Sequence, residues 1–81
     1  MIVLISGENG VGKIVMAQAL LEYHKKRRNC VKILEMTKEN LEAAEDEIRA
    51  AVIEKRDLIV VQRGPVSLPV QPNLVIALTK I

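Results

Sequence analysis

The spacing of apolar positions changes several times along the 81 residues, and each change marks an element. Met1–Ile5 (M-I-V-L-I) is an unbroken apolar run closed by Ser6-Gly7, the pattern of a strand covered on both faces. From Lys13 to about Arg28 the apolar residues fall at 14, 17, 20 and 21, with position 24 continuing the spacing, which predicts a helix. Cys30–Met36 (C-V-K-I-L-E-M) alternates in part and predicts a second strand. Thr37 is placed to N-cap a second helix, with Glu39 and Glu42 near its positive end and Lys55-Arg56 at its negative end. Its apolar stripe is 41, 44, 48, 51 and 52. Leu58–Val61 and Leu74–Ile81 are two further apolar strands. Between them Pro65, Pro69 and Pro72 exclude a helix and predict an extended connection.

The order β-α-β-α-β-loop-β predicts an α/β fold: one small domain over residues 1–81, a three-layer sandwich with a mostly parallel sheet of about four strands. Right-handed crossovers are expected where helices join parallel strands. The last strand has no helical crossover, and the pattern allows it to pair parallel through the proline segment or to fold back antiparallel.

Composition narrows the chemistry. Apolar residues make up 49% of the chain and 28 of the 81 are Ile, Val or Leu, so an aliphatic core is expected rather than disorder. Phe and Trp are absent and Tyr23 is the only aromatic, which argues against reading nucleic-acid bases by stacking. No apolar run nears the ~18 residues of a membrane span and no stretch reads as a signal peptide, so a cytoplasmic protein without a membrane partner is expected. One cysteine, Cys30, and one histidine, His24, are too few for a disulfide or a zinc site.

The net charge of +2 conceals an asymmetry: residues 1–34 carry +4, residues 35–57 carry −4, and Arg63 and Lys80 add the rest. This balance does not support bulk attraction to nucleic acid. The basic run His24-Lys25-Lys26-Arg27-Arg28 reads first as solvated cations at a helix C-terminus, and second as a patch for a polyanion. Glu39, Glu42, Glu45, Asp46 and Glu47 read as a solvated face with i,i+4 pairs such as Glu45–Arg49. The two oppositely charged regions, and exposed apolar sheet edges, are also compatible with a homodimer.

The strongest chemical signal is Gly7-Glu8-Asn9-Gly10-Val11-Gly12-Lys13, a G-x-x-x-x-G-K run placed after a buried strand and opening a helix. Gly7, Gly10 and Gly12 let the backbone turn tightly and turn its N–H groups inward. Amides from Asn9 through Val11 to Lys13 would form an anion nest at the positive end of a helix, and Lys13 adds a full charge. Glu8 would repel a phosphate unless it turned outward.

With these residues in place the chain resembles the P-loop nucleoside-triphosphatase superfamily, whose phosphate loops in kinases and transporter-type ATPases look like this heptad. The segment from Asp57 to Thr79 also looks like the strand-loop-strand of partition and septum-site ATPases, although their additional early lysine is absent. The resemblance implies ATP or another nucleotide as ligand. It also implies Mg²⁺, held by a Ser or Thr after the lysine and by an Asp ending a later strand. Here those positions are Ile14 and Gln62, neither of which supplies the oxygen anion or hydroxyl that a hard cation takes. Because phosphoryl transfer depends on the metal, the pair of departures argues against ordinary catalysis. Thr79-Lys80 resembles only part of a guanine-reading motif, and an ordinary edge strand explains it.

Arg63 follows the third strand on the side where ligands bind in open α/β sheets, and is the accessory phosphate contact to test. The expectation is therefore a nucleotide- or phosphate-binding domain with impaired or absent hydrolysis, acting as a sensor or interaction module. The alternative is a non-catalytic interaction protein with a vestigial phosphate loop.

Overall fold

The computed structural model describes residues 1–8, 10–26 and 31–79. Six elements follow in the expected order: β1 (Ile2–Gly7), α1 (Lys13–Lys26), β2 (Val31–Met36), α2 (Leu41–Ile53), β3 (Asp57–Gln62) and β4 (Leu74–Leu78). The strands form one sheet in the order β2-β3-β1-β4. All three pairings are parallel, with Leu4 opposite Val60 and Val75, and Ile33 opposite Ile59. The open question about the last strand is thus answered: β4 is parallel. Asn9, Arg27, Arg28, Cys30 and Lys80, all singled out above, lie outside the described residues.

Alternation within the strands builds two cores. Ile5, Ile59 and Val61 pack with Ala17 against Ile14, Met16, Leu20 and Leu21 of α1. On the opposite face Ile2, Leu58 and Val60 pack with Ala44, Ile48 and Ala51 of α2. The central strands β1 and β3 are covered on both faces, which is why their sequences are unbroken apolar runs. The proline segment does the work of a third helix. It forms neither helix nor strand and bends at Gly64-Pro65 and Pro69-Val70, and Val66, Leu68 and Val70 lie on the α2 face of the sheet.

This arrangement keeps one hand. The chain leaves β1, passes β3 to reach β2 and carries α1 on one face. It then returns through β3 to β4 with α2 and the proline segment on the other face. Reversing both direction and face is what a constant right-handed crossover requires. The first connections from β1 and β3 thus diverge to opposite faces, leaving a crevice between their carboxyl ends.

Two local expectations are corrected. Thr37 is not the N-cap of α2; Asn40 occupies that position, with φ −114° and ψ 17° and no side-chain cap bond. Thr37 instead closes a reciprocal box with Asn40 around the turn that leads into the helix. The Thr37 Oγ1 accepts the Asn40 N–H at 3.2 Å while Asn40 Oδ1 accepts the Thr37 N–H at 2.7 Å. The box has the logic of a helix capping box, displaced one turn upstream by the extra bond from Asn40 Nδ2 to the Glu35 carbonyl. The second correction is Val52, expected in the buried stripe: it is exposed, and Leu41, Ala44, Ile48 and Ala51 carry the packing. Arg49 pairs with Glu45 as expected, at 3.2 Å.

The end of α2 is closed by Lys55 in the left-handed region, φ 56°. The Arg56 N–H donates to the Ala51 carbonyl and the Lys55 N–H to the Val52 carbonyl, the double bond pattern of a Schellman turn. Glycine is the residue that adopts this conformation without strain. Lys55→Gly is therefore expected to raise stability by about 1 kcal/mol, read as a higher urea midpoint at unchanged slope. A lower midpoint would contradict this account of the turn.

Candidate functional site

At its carboxyl end β1 runs into the glycine-rich loop. Gly7 has φ 145°, Gly10 has φ 82° and Gly12 has φ 88°, values in the region that disfavours a side chain. The three do different jobs. At Gly7 a Cβ would lie 2.5 Å from the Leu78 carbonyl oxygen and 3.0 Å from Val11 Cγ2, so the absent side chain is demanded by pairing with β4. At Gly12 a Cβ would meet nothing within 4 Å, so only the turn requires glycine. The helix begins with Lys13, and the Met16 N–H donates to the Gly12 carbonyl at 3.0 Å.

Lys13 is the buried charge of the molecule among the described residues, with 6% of its surface exposed. Its Nζ donates to the Gly7 carbonyl and to the Gln62 carbonyl, both at 2.8 Å. Those acceptors are the last residues of β1 and β3. The ammonium therefore spans the crevice created by the diverging connections, the place where open α/β sheets bind ligands. Two carbonyl partners offset the cost of burying the charge and leave one of the three ammonium hydrogens for an anion.

A cleft of about 560 Å³ opens over this lysine. The loop and first turn of α1 supply Gly10, Gly12, Lys13, Ile14 and Val15; the end of β2 supplies Thr37, Lys38 and Glu39; the end of β3 supplies Arg63 and Gly64. Of the residues singled out from sequence, Gly10, Gly12, Lys13, Ile14 and Arg63 meet here. Gly7 and Val11 do not line the cleft, Glu8 is exposed outside it, and Asn9 lies outside the described residues. Arg63 is fixed at the rim by a 3.1 Å ion pair with Glu35 and by its N–H bond to the Met36 carbonyl.

Thr37, Lys38 and Glu39 were missed as cleft residues. Their place depends on β2 lying beside β3, a fact of strand order that linear periodicity does not encode. A generic signal did exist, since all three directly follow a parallel strand, on the ligand side of such sheets.

The positions at which the superfamily resemblance would seat Mg²⁺ do not fit it. Ile14 lines the cleft and packs its side chain toward the α1 core. The Gln62 carboxamide donates to the Val66 carbonyl, tied to its own loop. The Thr37 hydroxyl gives its hydrogen to Asn40 Oδ1 and accepts the Asn40 N–H. Among the described residues no cluster of three or more His, Cys, Asp or Glu side chains is arranged to hold a metal. Asp57 is remote from the cleft: it starts β3 and pairs with the Met1 ammonium at 2.7 Å.

Other features fall outside the cleft. Tyr23 and His24 stack edge to face at 5.5 Å on α1. Among the described residues no helix is long and apolar enough to cross a membrane. No protein-family model, curated protein or solved structure matches the chain.

Proposed function

We propose that this chain is a phosphate-binding P-loop domain with little or no turnover, working as a sensor or interaction module. The observation that carries the reading is the placement of Lys13. A buried ammonium, held by the ends of β1 and β3, lies beneath a cleft whose floor is a left-handed glycine turn and a helix N-terminus. Those three sources of positive potential act on one point, and an anion there receives backbone N–H groups as well as charge. Lack of turnover is supported by the chemistry of Ile14 and Gln62, which put an aliphatic side chain and a neutral carboxamide where the cation used in phosphoryl transfer takes a hydroxyl and a carboxylate.

Calorimetric titration of the full chain with ATP, GTP and inorganic pyrophosphate tests the reading. At least one is expected to bind with Kd below roughly 1 mM, with no magnesium-dependent phosphate release. Failure of all three to bind would remove the ligand reading. Magnesium-dependent hydrolysis would remove the claim of impaired turnover.

A second reading rests on β4. This edge strand is uncharged from Leu74 to Leu78, and Leu74 and Val75 are 47% and 53% exposed. The other edge strand, β2, carries Lys32 and Glu35, charges of the kind that discourage edge pairing. A second copy pairing through β4 would make the protein a homodimer with an inherited loop. Sedimentation equilibrium gives a concentration-dependent mass if so, and a strict monomer otherwise.

A further inference from the structure

The walls of the cleft carry information about its ligand beyond the loop at its base. Among the described residues it presents three cations, Lys13, Lys38 and Arg63, against a single carboxylate, Glu39. The cations come from three segments: the start of α1, the end of β2 and the end of β3. Their charge therefore surrounds an anion rather than meeting it from one side. Among the described residues the cleft has a single carboxylate and no cluster of three or more His, Cys, Asp or Glu side chains, so side chains and backbone are left to neutralise the ligand's charge.

The same walls offer little to a nucleobase. The molecule's one aromatic, Tyr23, belongs to the far part of α1 and pairs with His24. The apolar groups at the cleft are the aliphatic Ile14 and Val15, and Val15 is 70% exposed. The Thr37 hydroxyl, the neutral polar side chain in the wall, is already engaged with Asn40 in both directions. Recognition of a base needs a flat shelf or directed neutral donors and acceptors, and a site without them cannot discriminate by base.

We infer that the ligand is a phosphate chain recognised without metal or base, either inorganic, such as pyrophosphate, or the phosphate end of a larger molecule whose remainder stays in solvent. This rests on the phosphate-site reading above and narrows it. Affinity then resides in the phosphoryl oxygens. Lys13 takes the anion at the base of the cleft, while Lys38 and Arg63 close over its outer oxygens. Because Arg63 is already paired with Glu35, its contribution is the smaller of the two rim cations.

The test is calorimetry on the full chain with pyrophosphate, tripolyphosphate, ADP and ATP, each with EDTA and again with excess Mg²⁺. In EDTA, ADP is expected to match pyrophosphate, and ATP to match tripolyphosphate, within about threefold. Magnesium should weaken every one of them, since it competes for the same oxygens. Lys38→Ala should weaken pyrophosphate by about three- to tenfold with an unchanged thermal midpoint, and Arg63→Ala by less. A nucleotide that binds more than about thirtyfold tighter than its base-free counterpart, or a tenfold gain on adding Mg²⁺, would overturn this inference while leaving the phosphate site standing. Absence of binding by all four would overturn both.

Discussion

Gly7→Ala is expected to destabilise the fold by about 2–5 kcal/mol, the largest effect of any single methyl group added to this chain. The added Cβ would sit 2.5 Å from the Leu78 carbonyl oxygen, a backbone atom held in the β1–β4 ladder by the Gly7–Leu78 pairing. It would also have to adopt φ 145°, which L-residues rarely tolerate. Relief requires moving β4, an edge strand bonded to β1 on one side only. Loss of amide protection should therefore begin in β4 and the proline segment before it reaches β2 or β3. Gly12→Ala is the control: at φ 88° with nothing within 4 Å, it should cost about 1–2 kcal/mol. Urea unfolding of both variants measures the contrast. If Gly7→Ala proved no more costly than Gly12→Ala, the assignment of Gly7 to strand pairing would fail.

Lys13→Met is expected to reduce phosphate affinity by at least about thirtyfold, the largest functional effect. Methionine keeps an unbranched chain of similar shape, so the cavity stays filled. What is removed is the charge and its two 2.8 Å bonds to the Gly7 and Gln62 carbonyls. Losing those bonds leaves two carbonyls short of a partner near the sheet end, so a stability loss of about 1–3 kcal/mol accompanies the lost binding. The two effects separate by experiment. Unfolding gives the structural cost, and titration of the still-folded variant gives the ligand cost. A folded Lys13→Met that bound pyrophosphate as wild type does would place the anion elsewhere, with Lys25 and Lys26 the obvious surface candidates.

The fold was largely legible because period and punctuation agree with tertiary demand. Met1–Ile5 read as a doubly covered strand and Leu58–Val61 as a fully apolar one because they form the two central strands. The glycine run could be placed because a strand precedes it and a helix follows. What the linear pattern left open was spatial. The parallel direction of β4 depends on the proline segment being long enough to return along the α2 face, where Val66, Leu68 and Val70 anchor it. Val52 satisfied the helical period yet is exposed, because the sheet surface beneath α2 is filled by Ala44, Ile48 and Ala51.

The candidate site divides in the same way. Lys13 was legible from the heptad, but its bonds to the ends of β1 and β3 depend on those strands being neighbours. Lys38 and Glu39 carry no motif and become cleft residues only once β2 takes its place in the sheet. Gly7 was read as part of the phosphate loop, and its packing gives it a second cause, the backbone of β4.

The most direct test of the central claim is an amide proton–nitrogen NMR titration of the full chain with inorganic pyrophosphate in EDTA. The account predicts saturable shifts of the Gly10, Val11, Gly12 and Lys13 amides, fitting a common Kd below roughly 1 mM. Shifts confined to the Lys25–Lys26 end of α1, or loop amides that stay unmoved well above that concentration, would contradict it.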